Sequence, residues 1–120
     1  VRCHCGCPLM VDVKARAAKQ AVALEAFRKA LGGHPISVHC WHRCVKQNAK
    51  VGGKGHSKHM EGSATDLHVA GLPHKHLRDR ALLIPAFVIG GVGLYDWGVH
   101  LDTAVDPVNR PFKWDERTVK

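Results

Sequence analysis

At 120 residues the chain has the length of one ordinary domain with one core and leaves no room for a separate targeting module. With 45% hydrophobic and 23% charged residues it is neither disordered nor fibrous in composition, and no apolar run approaches the ~20 residues that a membrane-spanning helix requires. The net charge of +8 favours an anionic partner; nucleic acid is disfavoured because Lys and Arg are scattered and only three Trp, one Tyr and three Phe are available to interleave with them.

The sequence opens on Val1 with no charged-then-apolar leader, so an exported form is expected to appear here already processed. After a Cys-rich start, Asp12 to about Leu31 reads as an amphipathic helix. Asp12 can cap it, Val13, Ala17, Leu24, Phe27 and Leu31 recur at near-helical spacing, and Gly32-Gly33 ends it. Ile36, Val38 and Cys40 then alternate with a period of two, as on a half-buried strand, and a short helical turn is expected through Asn48. The stretch from Lys50 to Ser57 is basic and glycine-rich, an irregular surface loop of the kind that borders sites. Thr65 to Val69 is a second predicted strand, Pro73 to about Ile84 a helix, and Gly91 to Tyr95 and Trp97 to Thr103 two tightly joined strands, with the remainder to Lys120 irregular. That order fits an α+β domain over residues 1–120, with a small antiparallel sheet packed with helices.

Two segments carry candidate chemistry, Ser57 to Asp66 and Trp97 to Asp102. Strand alternation puts Asp66 and His68 on one face and Leu67 and Val69 on the other, and likewise groups His100 with Asp102 against Val99 and Leu101. If these strands pair, Asp66, His100 and Asp102 converge on one polar surface, and His59 can reach it from the loop before Gly62. Two imidazoles and one carboxylate around an open position are the usual composition of a catalytic zinc site. A further carboxylate is needed to accept the proton of the attacking water, and both Asp102 and Asp96 are candidates.

The run Ser57-x-His59-x-x-Gly62-x-Ala64-x-Asp66 resembles the SxHxxGxAxD signature of the zinc D-alanyl-D-alanine peptidases, a peptidoglycan-cleaving family whose fold is shared with the hedgehog signalling domain. Gly91 to Tyr95 and Val99 to Asp102 are similar to that family's closing strands, Arg110 and Trp114 to its tail, and Arg43 to Asn48 with Val51-Gly52-Gly53 to an upstream stretch. The resemblance covers almost the whole chain and points to the subgroup of phage lysins and small periplasmic wall hydrolases.

It implies one catalytic zinc held by His59, Asp66 and His100, with Arg43 gripping a substrate carboxylate or carbonyl and His56 or Ser57 helping to orient it. It also implies peptidoglycan as partner, no nucleic acid, no membrane span, a monomer, and action in the bacterial periplasm or cell wall, with a phage origin open. The sequence departs from the family where Trp97 replaces the usual acid three residues before the last zinc ligand. The base is therefore either Asp102, which shares the face of His100, or Asp96, which requires a bulged turn; orienting His100 is an equally ordinary role for Asp102. The family's Ser-Gly-Tyr-Arg stretch appears as Cys40-Trp41-His42-Arg43, so substrate preference is expected to differ.

Five cysteines leave an odd number. Cys3, Cys5 and Cys7 with His4, and Cys40 and Cys44 with His39 and His42, are open to three readings: a disulfide from the opening to Cys40 or Cys44, buried free thiols, or a structural zinc. Alternatives to a metallopeptidase are a non-catalytic zinc domain that binds wall peptides or a protein partner, and a thiolate-ligated nucleic-acid module.

Overall fold

The computed structural model describes residues 11–41 and 58–118. The first helix, α1 (Val11–Ala30), buries Val13, Ala17, Gln20, Ala23, Leu24 and Phe27 along one stripe. The gap that the apolar pattern leaves between Ala17 and Leu24 is filled by Gln20, whose side-chain amide donates to Thr65 Oγ1 (3.1 Å) and to the carbonyl of Leu101 (2.9 Å). Asp12 lies one residue inside the helix rather than at its cap, with its carboxylate 3.5 Å from Arg16.

Among the described residues five strands follow: β1 (Ser37–Cys40), β2 (Ala64–His68), β3 (Gly91–Tyr95), β4 (Gly98–Asp102) and β5 (Phe112–Asp115), with α2 (His74–Ala81) and α3 (Pro85–Val88) between β2 and β3. They form one sheet in the order β1-β2-β4-β3-β5, antiparallel at every pairing except that of β3 with β5, which is parallel. The predicted α+β class and the antiparallel centre are present, and the sheet is mixed because the tail adds a strand where an irregular segment was expected. The helix expected from Pro73 to Ile84 ends at Ala81 and resumes for one turn at Pro85, because proline cannot continue the hydrogen-bonding of the helix before it.

The register assigns the two faces of the sheet. Leu67 and Leu101 in the centre, with Val92, Leu94 and Val99, join Leu24, Phe27, Leu77 and Phe87 in a single core between sheet and helices. Phe27 and Phe87 are wholly buried and meet edge to face at 6.3 Å. Among the described residues no helix is long and apolar enough to cross a membrane. The face of the sheet opposite the described helices holds Asp66, His100 and Asp102.

Candidate metal centre

The centre is built on a transverse row of the sheet. Cys40 on β1 stands opposite Asp66 on β2, Asp66 opposite His100 on β4, His100 opposite Gly93 on β3, and Gly93 opposite Trp114 on β5. Residues directly opposite each other project to the same face, so this one register line gathers a thiol, a carboxylate, an imidazole and an indole. The two glycines of β3 on this face make the room. A Cβ at Gly93 would lie 2.3 Å from the Trp114 ring, and one at Gly91 would lie 2.4 Å from Asp102 Oδ2.

His59 reaches the row from the turn before β2, which is held from three sides. Arg16 of α1 donates to the carbonyl of Glu61 (2.6 Å), the Trp41 indole to the carbonyl of Gly62 (3.0 Å), and Thr103 N–H to the carbonyl of Ser63 (3.0 Å). Lys58 bridges Glu61 and Asp106, each at 3.1 Å. Gly62 has φ +80°, and a Cβ there would lie 2.9 Å from Val13 Cγ1, so the turn closes against α1 only with glycine at this position.

Both imidazoles are fixed by their outer nitrogens. His59 Nδ1 donates to the carbonyl of Trp41 (2.9 Å) and His100 Nε2 to Asp102 Oδ2 (2.8 Å). The remaining nitrogens face the Asp66 carboxylate from two sides, His59 Nε2 at 3.0 Å from Oδ2 and His100 Nδ1 at 2.9 Å from Oδ1. Burial disfavours charge on all three groups, yet their mutual pairing prevails. His59 is pushed up to about 10 by Asp66 and Cys40, His100 is raised by Asp102 and Asp66, and Asp66 is held well below the usual carboxylate range by the two imidazoles. Cys40, His59 and Asp66 are close enough to share one divalent cation, with donor atoms within 4.8 Å of one another; His100 adjoins this group through its contact with Asp66 at 2.9 Å. A histidine whose far nitrogen is tied to a carbonyl or carboxylate is the usual form of a metal-ligating histidine, and the donor set fits a metal ion.

Asp102 has no exposed surface. Besides His100, it accepts two bonds from the Arg110 guanidinium, at 2.7 and 3.0 Å, and one from Ala104 N–H at 3.2 Å. These partners outweigh burial and lower its carboxyl to about 2. It is thus placed to orient His100 and lacks the open side that an acceptor facing solvent needs. Asp96 is exposed in the turn between β3 and β4, with both oxygens accepting from Thr118, away from the row that holds His100. Arg43, His56 and Ser57 lie outside the described residues.

Cys40 joins the centre as sequence reasoning did not foresee. It carries a free thiol, and Cys40, His59 and Asp66 each place a donor atom within 4.8 Å of the others. Alternation had grouped it with Ile36 and Val38 on one face. A bulge between Val38 and Cys40 reverses this: Val38 pairs with Leu67 on the helix side and Cys40 with Asp66 on the site side. The other four cysteines lie outside the described residues. Arg110, read from the sequence only as part of a tail, is the counter-ion of Asp102. Aromatic rings border the same face: Tyr95 stacks on Trp97 at 4.7 Å, and its hydroxyl accepts from the Trp114 indole at 2.6 Å.

Among curated proteins, 44 residues of the chain are 48% identical to the zinc D-Ala-D-Ala carboxypeptidase of Streptomyces albus G; they make up 37% of this chain and 17% of that protein. A family model described as peptidase M15 matches residues 2–102, and the chain belongs to the peptidase M15 family.

Proposed function

We propose that this domain is a zinc peptidase that hydrolyses the peptide part of bacterial peptidoglycan, in stem peptides or in cross-links. The observation that carries this reading is the convergence of His59 Nε2 and His100 Nδ1 on the two oxygens of Asp66, each ring anchored from behind. The family and the peptidoglycan-precursor chemistry in the name of the Streptomyces protein support the substrate class.

In this reading His59, Asp66 and His100 hold one zinc ion. When bound, the ion lowers the pKa of a coordinated water to about 7 and polarises the scissile carbonyl. The residues of the chain bind and orient. Asp102, neutralised by Arg110, keeps His100 in the tautomer that presents Nδ1. The neighbouring rings of Tyr95, Trp97 and Trp114 offer apolar surface to a peptide backbone. Arg43 binds a substrate carboxylate or carbonyl, with His56 and Ser57 beside it. The net charge of +8 holds the enzyme to an anionic wall, an attraction that weakens with salt. Its place of action is the periplasm or the cell wall, for a bacterial or a phage gene alike.

One observation favours a second reading, a zinc domain that binds wall peptides without cutting them. Trp97 replaces the expected acid, Asp102 is saturated, and Asp96 is held by Thr118. Mass spectrometry of purified peptidoglycan incubated with the zinc-loaded protein decides between them. New peptide ends that disappear with a chelator are the expected result. Intact muropeptides beside one tightly bound zinc per chain would establish the binding domain instead.

A further inference from the structure

The register line that carries Asp66 and His100 continues onto β1, and there the bulge turns Cys40 towards the centre. Its sulfur lies within 4.8 Å of donor atoms of both His59 and Asp66. Donors around a tetrahedral zinc with bonds of ~2.0–2.3 Å stand roughly 3.5 Å apart, so a small inward rotation brings all three to one ion. Thiolate is among the preferred zinc ligands, and His100, which lies outside this group but 2.9 Å from Asp66, would complete four protein donors by turning in towards the ion.

We propose that Cys40 is a fourth, displaceable donor whose thiolate occupies the coordination position needed for hydrolysis, so that the folded domain rests closed. On binding, the S–H bond breaks, its proton goes to solvent, and a sulfur–zinc bond replaces one from zinc to a solvent molecule, with no electrons exchanged. A substrate carbonyl or water opens the centre by displacing the sulfur, which takes a proton back from solvent. Four-donor closure is the arrangement of zinc sites that hold structure, whereas an open position marks catalytic ones, so Cys40 sets which of the two this centre resembles at rest.

This inference rests on the zinc reading above. The full chain loaded with cobalt(II) tests it through its absorption spectrum. An intense near-ultraviolet sulfur-to-cobalt band is expected in the native chain and is lost in Cys40→Ser, while cobalt stoichiometry is retained through His59, Asp66 and His100. A band that survives in Cys40→Ser overturns the proposal by assigning the thiolate to another cysteine. A native chain that binds cobalt without the band yet cleaves muropeptides overturns the fourth donor alone, and a chain that takes up no metal overturns the zinc reading with it. A second measurement needs no variant: peptide-mapped iodoacetamide labelling of Cys40 should be roughly tenfold slower or more in the zinc-loaded chain than after chelation, because a coordinated thiolate is a poor nucleophile. Equal rates contradict the proposal.

Discussion

Asp102, without exposed surface, accepts a hydrogen bond from Nε2 of His100 at 2.8 Å, and this contact fixes which nitrogen His100 offers to a metal. Replacing Asp102 with Asn keeps the shape and removes the charge. Zinc affinity should fall by about 10–100-fold, as expected for a residue that acts through a ligand, with hydrolysis restored at saturating zinc. If Asp102 were the proton acceptor, Asp102→Asn would bind zinc normally and lose ~10²–10⁴-fold in kcat. Zinc titration against a competing chelator, combined with kcat at saturating metal, separates the two roles.

Arg110 is the counter-ion that makes the burial of Asp102 tolerable, through bonds of 2.7 and 3.0 Å from a side chain that is itself 10% exposed. Truncation in Arg110→Ala leaves buried Asp102 with His100 as its remaining counter-ion, so the loss should approach but not exceed the about 3–5 kcal/mol typical of a fully broken buried pair. Urea unfolding of the metal-free chain should show a loss of that size. A loss below about 1 kcal/mol would mean that the pair is open to water in solution.

Because His59 is held protonated up to about 10, metal uptake near pH 7 has to expel protons. Calorimetry in buffers of different ionisation enthalpy should show net proton release on metal uptake. The metal-free chain has the corresponding stability profile. The raised pKa of His59 contributes stability that is full below its ordinary value of 6.5 and is lost as pH rises through about 10. The lowered pKa of Asp102 contributes stability present above its ordinary 3.8 and lost as pH falls through about 2. The Tm of the metal-free chain should decline towards both limits, whereas zinc should raise the alkaline side.

The turn that delivers His59 closes on α1 through Gly62, at φ +80° and within 2.9 Å of Val13 Cγ1 for any added Cβ. Gly62→Ala combines left-handed backbone strain of about 1–2 kcal/mol with that contact. The variant should melt earlier and hold zinc less tightly than the native chain, and a variant with native zinc affinity would show that the position of His59 does not depend on this turn.

The central strands and the grouping of Asp66, His100 and Asp102 on one face were legible because their signals are local. A period of two in Ala64 to His68 and Gly98 to Asp102 sorts Asp66, His100 and Asp102 from Leu67, Val99 and Leu101 with no knowledge of the partner strand. What was not legible depends on pairing between distant segments. β5 is a four-residue edge strand with little alternation, and only its parallel partner β3 makes it a strand. The facing of Cys40 is set by a bulge, and one extra residue inverts every inference from alternation. Gln20 broke the apolar stripe of α1 because its partners, Thr65 and the carbonyl of Leu101, lie 45 and 81 residues away. The role of Arg110 follows from a carboxylate that the sequence places near His100 but cannot show to be saturated.

The most direct test is the metal content of the purified chain beside that of His59→Ala, Asp66→Ala and His100→Ala, each incubated with peptidoglycan under the same conditions. The native chain should hold one zinc and release chelator-sensitive peptide ends, and each variant should lose both metal and cleavage. Full zinc retained by all three variants would contradict this ligand set.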